Sequence, residues 1–510
     1  MEAWIWDAAC SIRGSQDAPK FKDFILPLIF VKRLCDVFDD EIDRIAEKIK
    51  SRTKAMQLVE RDKSLVRFYL PMKPNFPERQ RTWDVIRLLS DKIGQGLTDI
   101  MRDIAKENQN LQGIIDRIDF NATTHGQRDI DDDRLSSLIE KISEKKLGLN
   151  DVEPDIIGRS YEYLIRKFAE GSGQSAGEFY TPAEVGFVMA KIMDAEPGME
   201  IYDPCCGSGG LLIKCELVMK EKMAVLSQSR YASLRLFGQE FTPSTWAMSR
   251  MNMVIHDMEG KIEIGDTFRQ PKFRDGAKLK TFDRVVANPM WNQGRDSLSY
   301  LNDDYFINDE HSRFPAGSPG GKIDWGWMQH IYSSLNSKGR AAVVLDTGAA
   351  SRGSGNQGTN KEKECRRWFV DKDLIEGVIY LPENLFYNTS APGMVIFLNR
   401  AKEHKGSVFL LHAGREFEKG DPKNYIPPKS IEYIAETYKA RKEVEKFSRI
   451  VTREEIAKND YNISPSRYIQ TAETETYRAL GEIMEELQML EQESLATDAE
   501  LKSILQKLGV

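Results

Sequence analysis

The chain contains few cysteines and histidines, and their spacing excludes whole classes of site. Six cysteines and six histidines are scattered over 510 residues, with no Cys-x-x-Cys and no His-x-x-x-His pair. Such spacing provides neither a disulfide framework nor a zinc site. We therefore expect no catalytic metal, and we interpret the adjacent Cys205 and Cys206 as small turn residues.

Long apolar runs and an excess of positive charge are also absent. No run of about 18 apolar residues occurs, so no membrane-spanning helix is expected. The first residues, Met1 to Asp7, lack the basic and apolar regions of an export signal, and we expect the protein to stay in the cytoplasm. The formal net charge is −7. Binding to DNA phosphates would thus depend on a local basic face or on a partner's positive surface.

What is present indicates an ordinary folded protein with about three domains. Hydrophobic residues make up 41% and charged residues 30% of the chain. Residues 1–155 have a helical pattern, with an apolar stripe from Phe24 to Val37. From about 199 to 400, strands and helices alternate, which predicts a largely parallel sheet covered on both faces. The predicted strands are Glu200–Asp203, Leu234–Glu240, Lys261–Asp266, Phe282–Ala287, Ala341–Leu345, Leu374–Tyr380 and Met394–Leu398.

The last part of the chain, after about 430, has a charged and helical pattern. It predicts a helix from Ile431 to Arg449 and a final helix near the end. The final helix has an apolar repeat at three- and four-residue steps, which is typical of a helix that packs on another helix. The other helix belongs either to a partner or to the chain's own body. The repeat consists of Leu480, Ile483, Met484, Leu487 and Leu490.

Two motifs carry chemistry. The first strand ends at Asp203 and turns through Gly207, Ser208, Gly209 and Gly210 into an apolar helix, and glycines there let the backbone approach a ligand. The fourth strand is followed by Asn288-Pro289-Met290-Trp291. The Asn288 amide oxygen and the Pro289 carbonyl can each accept a hydrogen from a planar amine. The indole of Trp291 could stack on the base that carries this amine, and such a contact contributes about 1–3 kcal/mol.

The Asn-Pro pair alone would also fit a simple turn. With the glycine turn upstream, the chain resembles the amino-group DNA methyltransferases that use S-adenosylmethionine (AdoMet), and more narrowly the modification subunit of type I restriction-modification systems. The family usually has proline where Met290 stands, so we expect altered rigidity and retained chemistry. The resemblance is carried by Ile12–Asp17, Phe24–Leu34, Gly177–Pro182, Asp203–Gly210, Asn288–Trp291, Val378–Phe386 and Asp460–Arg467.

The resemblance implies an α/β fold with a seven-stranded, Rossmann-like AdoMet-dependent methyltransferase domain over residues 156–425. It further implies an N-terminal helical domain (1–155) that closes over DNA and a C-terminal helical region (426–510) for subunit contacts. The implied reaction transfers a methyl group from AdoMet to N6 of an adenine flipped out of double-stranded DNA. A specificity subunit, shared by two modification subunits, would recognise the sequence, and a restriction subunit would join the full complex.

The resemblance also implies a set of site residues. Asn288, Pro289 and Trp291 would be catalytic. Glu240, at the end of the second strand, would accept hydrogen bonds from the ribose hydroxyls of the cofactor. Asp266 would accept from its adenine amino group, and Asp203 would lie near its methionine part. Thr181 is predicted to cap a helix whose first turn contains Pro182. The remaining cofactor-binding residues would be Glu178, Phe179, Tyr180, Thr181, Pro182 and Ala183 together with Gly207, Ser208, Gly209 and Gly210.

Two alternatives and one structural expectation complete the sequence interpretation. A protein glutamine N5-methyltransferase uses a similar motif, but such enzymes are much shorter. A non-catalytic assembly subunit has only Met290 in its favour. The long polar segments 292–330 and 352–361 are expected to be loops, either mobile near the base or disordered.

Overall fold

A computed structural model describes most of the chain, and it separates into two compact units, Met1–Ile469 and Gln470–Val510. The described residues are 2–11, 18–71, 82–124, 126–152, 163, 181–228, 231–276, 278–294, 301–356, 358–386, 389–420, 423–471, 484, 487, 489–492, 494 and 497.

The N-terminal part of the first unit is helical. The predicted stripe from Phe24 to Val37 is buried in the core of this helical part, so it is not a partner surface. Pro27 lies inside the long second helix. The helices are α1 (Glu2–Cys10), α2 (Ala18–Ile49), α3 (Arg52–Arg61), α4 (Thr82–Arg87), α5 (Ile93–Glu107) and α6 (Asp132–Ser143).

The rest of the first unit is built on a nine-stranded sheet with the order 9-8-6-7-5-4-1-2-3. Strands β1 to β5 run parallel to one another, and β6 runs parallel to β8, whereas β7 is antiparallel to both β5 and β6, and β9 is antiparallel to β8. The strands are β1 (Glu200–Asp203), β2 (Arg235–Glu240), β3 (Gly260–Ile264), β4 (Phe282–Ala287), β5 (Leu335–Asp346), β6 (Ile375–Tyr380), β7 (Gly393–Asn399), β8 (Ser407–His412) and β9 (Ser448–Thr452).

Helices cover both faces of this sheet. Successive residues of β4 point to opposite faces, because side chains alternate along a strand. Val286 therefore lies in one core, and Val285 and Ala287 lie in the other. The helices are α7 (Ala183–Met193), α8 (Gly210–Val225), α9 (Pro243–Ile255), α10 (Asp303–Ile307), α11 (Asp324–Ser333), α12 (Lys361–Asp371), α13 (Pro428–Lys439) and α14 (Arg453–Lys458).

The α/β class is confirmed, and all seven predicted strands are present. Two further strands, β8 and β9, extend the sheet. The helix predicted over Ile431–Arg449 ends at Lys439, and the chain returns as the edge strand β9. The third strand ends at Ile264, two residues before its predicted end at Asp266, because Gly265 adopts φ +148° and leaves the extended conformation.

Helix α9 belongs to both parts of the first unit. Met248, Met251 and Ile255 are buried in the core of the N-terminal helices. Trp246 and Met253 are buried in the core on one face of the sheet. The two parts therefore share one helix.

The expectation of a loop over 292–330 was wrong for the described residues, whereas the described residues of 352–360 form turns without helix or strand, as expected. Helices α10 and α11 lie in the first segment, and a cluster of aromatic and aliphatic side chains packs there. The guanidinium of Arg352 pairs with the carboxylates of Asp324, Asp346 and Glu362 and so holds the start of the second segment. The cluster consists of Phe268, Leu301, Phe306, Phe314, Ile323 and Trp327.

Among the described residues, no helix has the length and apolar character needed to cross a membrane. In the second unit, Met484, Leu487 and Leu490 are helical and at least half exposed.

Candidate active site

The two sequence motifs meet at one edge of the sheet. From β1 the strand order runs to β2 and β3 on one side and to β4 and β5 on the other. Ligands of such sheets bind beyond the carboxyl ends of the strands at this reversal of order. The glycine turn follows β1 and the Asn288 motif follows β4, so both lie at the reversal.

The glycine turn is tied to the end of β2 through Glu240. The Glu240 carboxylate accepts from the backbone N–H of Gly207 at 3.0 Å and from that of Thr242 at 2.9 Å. Gly207 and Gly209 have φ values of +53° and +79°, and Gly209 precedes α8. A Cβ atom added at Gly207 would meet no atom within 4 Å. The turn therefore offers room for a ligand beside it.

Asp203 is buried at the end of β1. Its carboxylate accepts from the backbone N–H of Cys205 at 3.0 Å. Burial raises its pKa to about 7, and the negative charge of Glu240 adds to the rise, whereas the Cys205 hydrogen bonds oppose it. A cation placed near this carboxyl would favour its ionised form.

Asp266 organises the turn that follows β3. Its Oδ1 accepts from the backbone N–H groups of Phe268 at 2.9 Å and Arg269 at 3.2 Å. The hydroxyl of Thr267 donates to the carbonyl of Pro204 at 2.5 Å. The turn after β3 is thus fastened to the turn after β1.

Phe241 was missed by the sequence interpretation. It follows Glu240 directly, and 70% of it is exposed. The signal was available: a large apolar residue directly after an acidic strand end. An exposed ring that directly follows the acid bound to the glycine turn is suited to stacking on a planar ligand.

Asn288 lies between Thr181 and Trp291. Its Nδ2 donates to Oγ1 of Thr181 at 2.9 Å, and its Oδ1 accepts from Nε1 of Trp291 at 3.0 Å. Only 8% of Trp291 is exposed, and its ring meets that of Phe386 edge to face at 4.6 Å. The Trp291 side chain, which was predicted to stack on a base, is buried in this structure.

Thr181 does not cap a helix, and this prediction was wrong. The residue at the N-cap of α7 is Pro182, no side chain caps this helix, and helical residues begin at Ala183. The Thr181 hydroxyl is engaged by the Asn288 amide instead. Glu178, Phe179 and Tyr180 lie outside the described residues.

Comparisons with known proteins agree with this geometry. Residues 152–477 match the family model described as N-6 DNA Methylase, which covers more than half of the chain. The chain belongs to the N-6 DNA methylase family. Residues 1–142 of the methylase match the HsdM N-terminal domain.

Relatives of the methylase are methylase subunits of type I restriction enzymes. The HindI methylase subunit of Haemophilus influenzae is 31% identical, over 81% of this chain and 91% of that protein. The MjaIX methylase subunit of Methanocaldococcus jannaschii is 28% identical, over 100% of this chain and 91% of that protein. A solved type I methyltransferase subunit from Streptococcus thermophilus has a TM-score of 0.74 at 25% identity, covering 92% of this chain and 99% of that one.

These findings confirm the predicted class of enzyme. The methylase is an adenine N6 DNA methyltransferase subunit of the type I restriction-modification class, and not a protein glutamine methyltransferase or a non-catalytic assembly subunit. Membership of this family implies AdoMet as the methyl donor.

The segment that follows Trp291 in the methylase is held by a buried acid and an arginine. Asn292, with φ +55°, donates its backbone N–H to Asp324 at 3.1 Å, and its side-chain oxygen accepts from Arg352 at 2.7 Å. Burial raises the pKa of Asp324 to about 6, and the charge of Arg352 opposes the rise. The backbone on the far side of the Asn288 motif is therefore fixed.

Proposed function

We propose that this site transfers the methyl group of AdoMet to the N6 amine of an adenine flipped out of duplex DNA. The observation that carries the proposal is the position of Asn288, which follows β4 at the sheet edge where the glycine turn follows β1. The adenine has to leave the base stack, at a cost of a few kcal/mol, because its amine is inaccessible within the duplex.

Asn288 and Pro289 are the proposed acceptors for the amine. The amide oxygen of Asn288 and the main-chain carbonyl of Pro289 each take one amine hydrogen, which directs the nitrogen lone pair out of the ring plane. Catalysis then consists of positioning and electrostatics, without a covalent nucleophile. Met290 contributes its side chain only after both acceptors, so the chemistry is retained.

The residues around the glycine turn fit AdoMet. The open space at Gly207 and the acceptors at successive strand ends support the assignment. Asp203 and the turn Gly207, Ser208, Gly209 and Gly210 would hold the methionine part, Glu240 the ribose, and Phe241 and Asp266 the adenine. Residues 178–183 would cover the cofactor. AdoMet, when bound, supplies an electrophilic methyl group on a sulfonium centre.

We infer that the methylase works within an assembly. Its relatives are named as subunits of type I restriction enzymes. Its net charge of −7 favours positive surface supplied by another chain. A specificity subunit bound by two methylase chains would recognise the sequence, and a restriction subunit would complete the complex.

Residues 1–155 would close over DNA, residues 156–425 would carry the reaction, and residues 426–510 would contact other subunits. A chromosomal DNA substrate places this assembly in the cytoplasm.

The test measures transfer of a tritiated methyl group from AdoMet to DNA, with and without the co-expressed specificity subunit. The expected product is N6-methyladenine, identified by mass spectrometry of the digested DNA. Asn288→Ala should lower kcat by about a hundred-fold or more, since it removes one of two acceptors for the amine. AdoMet binding should persist in this variant. Undiminished methylation by Asn288→Ala, or label found in protein instead of DNA, would contradict the proposal.

A further inference from the structure

The amide of Asn288 is held at both of its polar atoms before any adenine is present. Nδ2 donates to Thr181 and Oδ1 accepts from Trp291. An amide oxygen has two lone pairs and an amide nitrogen has two hydrogens. Each of the two hydrogen bonds therefore uses one of two bonding positions, and the second position on Oδ1 remains for an amine hydrogen.

The two neighbours of the amide differ in what they can accept. The indole N–H of Trp291 can only donate, whereas the hydroxyl of Thr181 can donate or accept. An amide turned by 180° would bring its NH2 group against the indole N–H, which is a contact between two donors. Trp291 therefore sets which end of the amide is the oxygen, and Thr181 holds the opposite end.

Trp291 is itself fixed by packing. Its ring meets Phe386 edge to face with 68° between the planes. A Cβ atom at Gly393 would approach the indole at 2.9 Å, which is closer than real side chains allow, so a glycine is needed there. The indole N–H is thus held in place while most of the ring is covered.

We propose that Trp291, through its indole N–H, and Thr181, through its hydroxyl, are positioning residues that preset the Asn288 amide for the target amine. The inference rests on the proposed function and assigns these two side chains a task within it. A preset acceptor needs no reorganisation when the adenine arrives, which is the condition under which such groups lower a barrier most. The hydroxyl of Thr181 has this task in addition to the cofactor contact proposed for residues 178–183, and the indole N–H of Trp291 has it separately from base stacking.

The test compares Thr181→Val, Thr181→Ser and Trp291→Phe in the assembled enzyme. Thr181→Val keeps the shape and removes the hydroxyl, so kcat should fall about ten-fold, the equivalent of one hydrogen bond. The KM values for AdoMet and DNA should stay within about two-fold. Thr181→Ser, which keeps the hydroxyl, should restore kcat. Thr437→Val is the control for removal of a threonine hydroxyl, because Thr437 lies on α13, which carries none of the proposed site residues.

Trp291→Phe keeps an aromatic ring and removes the N–H. Its kcat should fall about ten-fold, while base flipping, followed by 2-aminopurine fluorescence at the target position, should be unchanged. Wild-type kcat in Trp291→Phe, or a raised KM for AdoMet with unchanged kcat in Thr181→Val, would overturn the inference. Failure of the wild-type complex to methylate adenine would instead refute the proposed function, so the two failures are distinguishable.

Discussion

At the scale of single residues, the proposed contact of Asp203 with the cofactor should make cofactor binding sensitive to pH. Its carboxyl group is buried at the end of β1, and its pKa is raised to about 7 by burial and by the nearby charge of Glu240. The free protein therefore holds this carboxyl partly protonated near neutrality. Because its folded pKa lies above its unfolded value, this group lowers the free energy of unfolding as pH rises from about 4 to about 7.

A ligand that carries a sulfonium and an ammonium group should favour the ionised form of Asp203. We expect the Kd for AdoMet to fall as pH rises from 6 to 7, by up to about ten-fold per pH unit below the pKa, and to level off above about pH 8. Calorimetric titration at a series of pH values measures this. Asp203→Asn should bind more weakly and lose this dependence. A Kd that is the same from pH 6 to pH 8.5 in the wild-type protein would contradict the assignment.

Phe241 offers a second residue-scale prediction. Its exposed ring follows the acid proposed to hold the ribose. Stacking of a base on an aromatic side chain contributes about 1–3 kcal/mol. Phe241→Ala should therefore raise the Kd for AdoMet by about ten-fold, with little change in thermal stability. Val225→Ala is a suitable control, because Val225 is 80% exposed at the opposite end of α8 from the glycine turn. Equal Kd values for wild type and Phe241→Ala would refute this role.

At the scale of elements, the helical insertion between β4 and β5 is anchored on the turn after β3 by Arg313, together with the hydroxyl of Tyr305, which donates to the Phe268 carbonyl. Arg313 donates to the carbonyl groups of Thr267 at 3.0 Å and Phe268 at 2.7 Å. Its guanidinium also pairs with the Asp309 carboxylate at 2.6 Å. Both side chains are buried, with 2% of Arg313 and 4% of Asp309 exposed. Since Asp266 shapes the same turn, the insertion and the proposed adenine site are mechanically linked.

Removing the guanidinium of Arg313 should destabilise this region strongly. Arg313→Met removes the guanidinium donors to the Asp309 carboxylate and to the Thr267 carbonyl. The Phe268 carbonyl keeps the hydroxyl of Tyr305, and Asp309 keeps the backbone N–H at position 313. Loss of one partner of a buried ion pair costs about 3–5 kcal/mol. Urea unfolding should show a loss of this size, and adding Asp309→Leu should recover part of it. A change below about 1 kcal/mol in Arg313→Met would show that the pair contributes little.

Burial explains only part of which strands the sequence predicts. Strand β3 was predicted although only Ile262 of its five residues is buried. Strand β8 was missed although its residues from Val408 to Leu411 are all buried, because the predicted alternation of strands and helices ends near residue 400. Strand β9 was missed because only Ser448 and Val451 of its five residues are buried, as expected at an edge. The insertion was misjudged because its aromatic residues follow no regular period.

The motifs predicted which strand ends form the site, and the contacts between them could not be predicted. Thr181 and Asn288 are 107 residues apart in the chain, and their hydrogen bond depends on how α7 approaches β4. The same holds for the indole of Trp291. The motif predicts that the indole stacks on a base, whereas its packing on Phe386 and Gly393 directs its N–H to the Asn288 amide.

At the scale of the whole molecule, the first unit folds as one body because α9 is shared. Trp246 of α9 donates its indole N–H to the Ile262 carbonyl in β3 at 2.8 Å. Asn252 of α9 donates to the Ser208 carbonyl in the glycine turn at 3.1 Å. The guanidinium of Arg117, from the helical part, lies 5.2 Å from the Trp246 ring. We therefore expect a partner bound to the N-terminal helices to act on the proposed cofactor site through α9.

The second unit, Gln470–Val510, is the proposed attachment point for the specificity subunit. Met484, Leu487 and Leu490 recur every three residues of a helix and are 51%, 51% and 56% exposed. Burial of each leucine side chain against a partner would contribute about 1.5–3 kcal/mol. Leu487→Glu combined with Leu490→Glu should therefore weaken subunit association more than a hundred-fold, measured by co-purification and by calorimetric titration.

Binding of AdoMet should be unchanged in the Leu487→Glu, Leu490→Glu double variant, because the proposed cofactor residues all lie in the first unit. Leu88→Glu provides the control for an added surface charge, since Leu88 is 59% exposed in the first unit. Wild-type association of the double variant would place the subunit interface elsewhere. Loss of AdoMet binding together with association would instead indicate that the helix supports the chain's own fold.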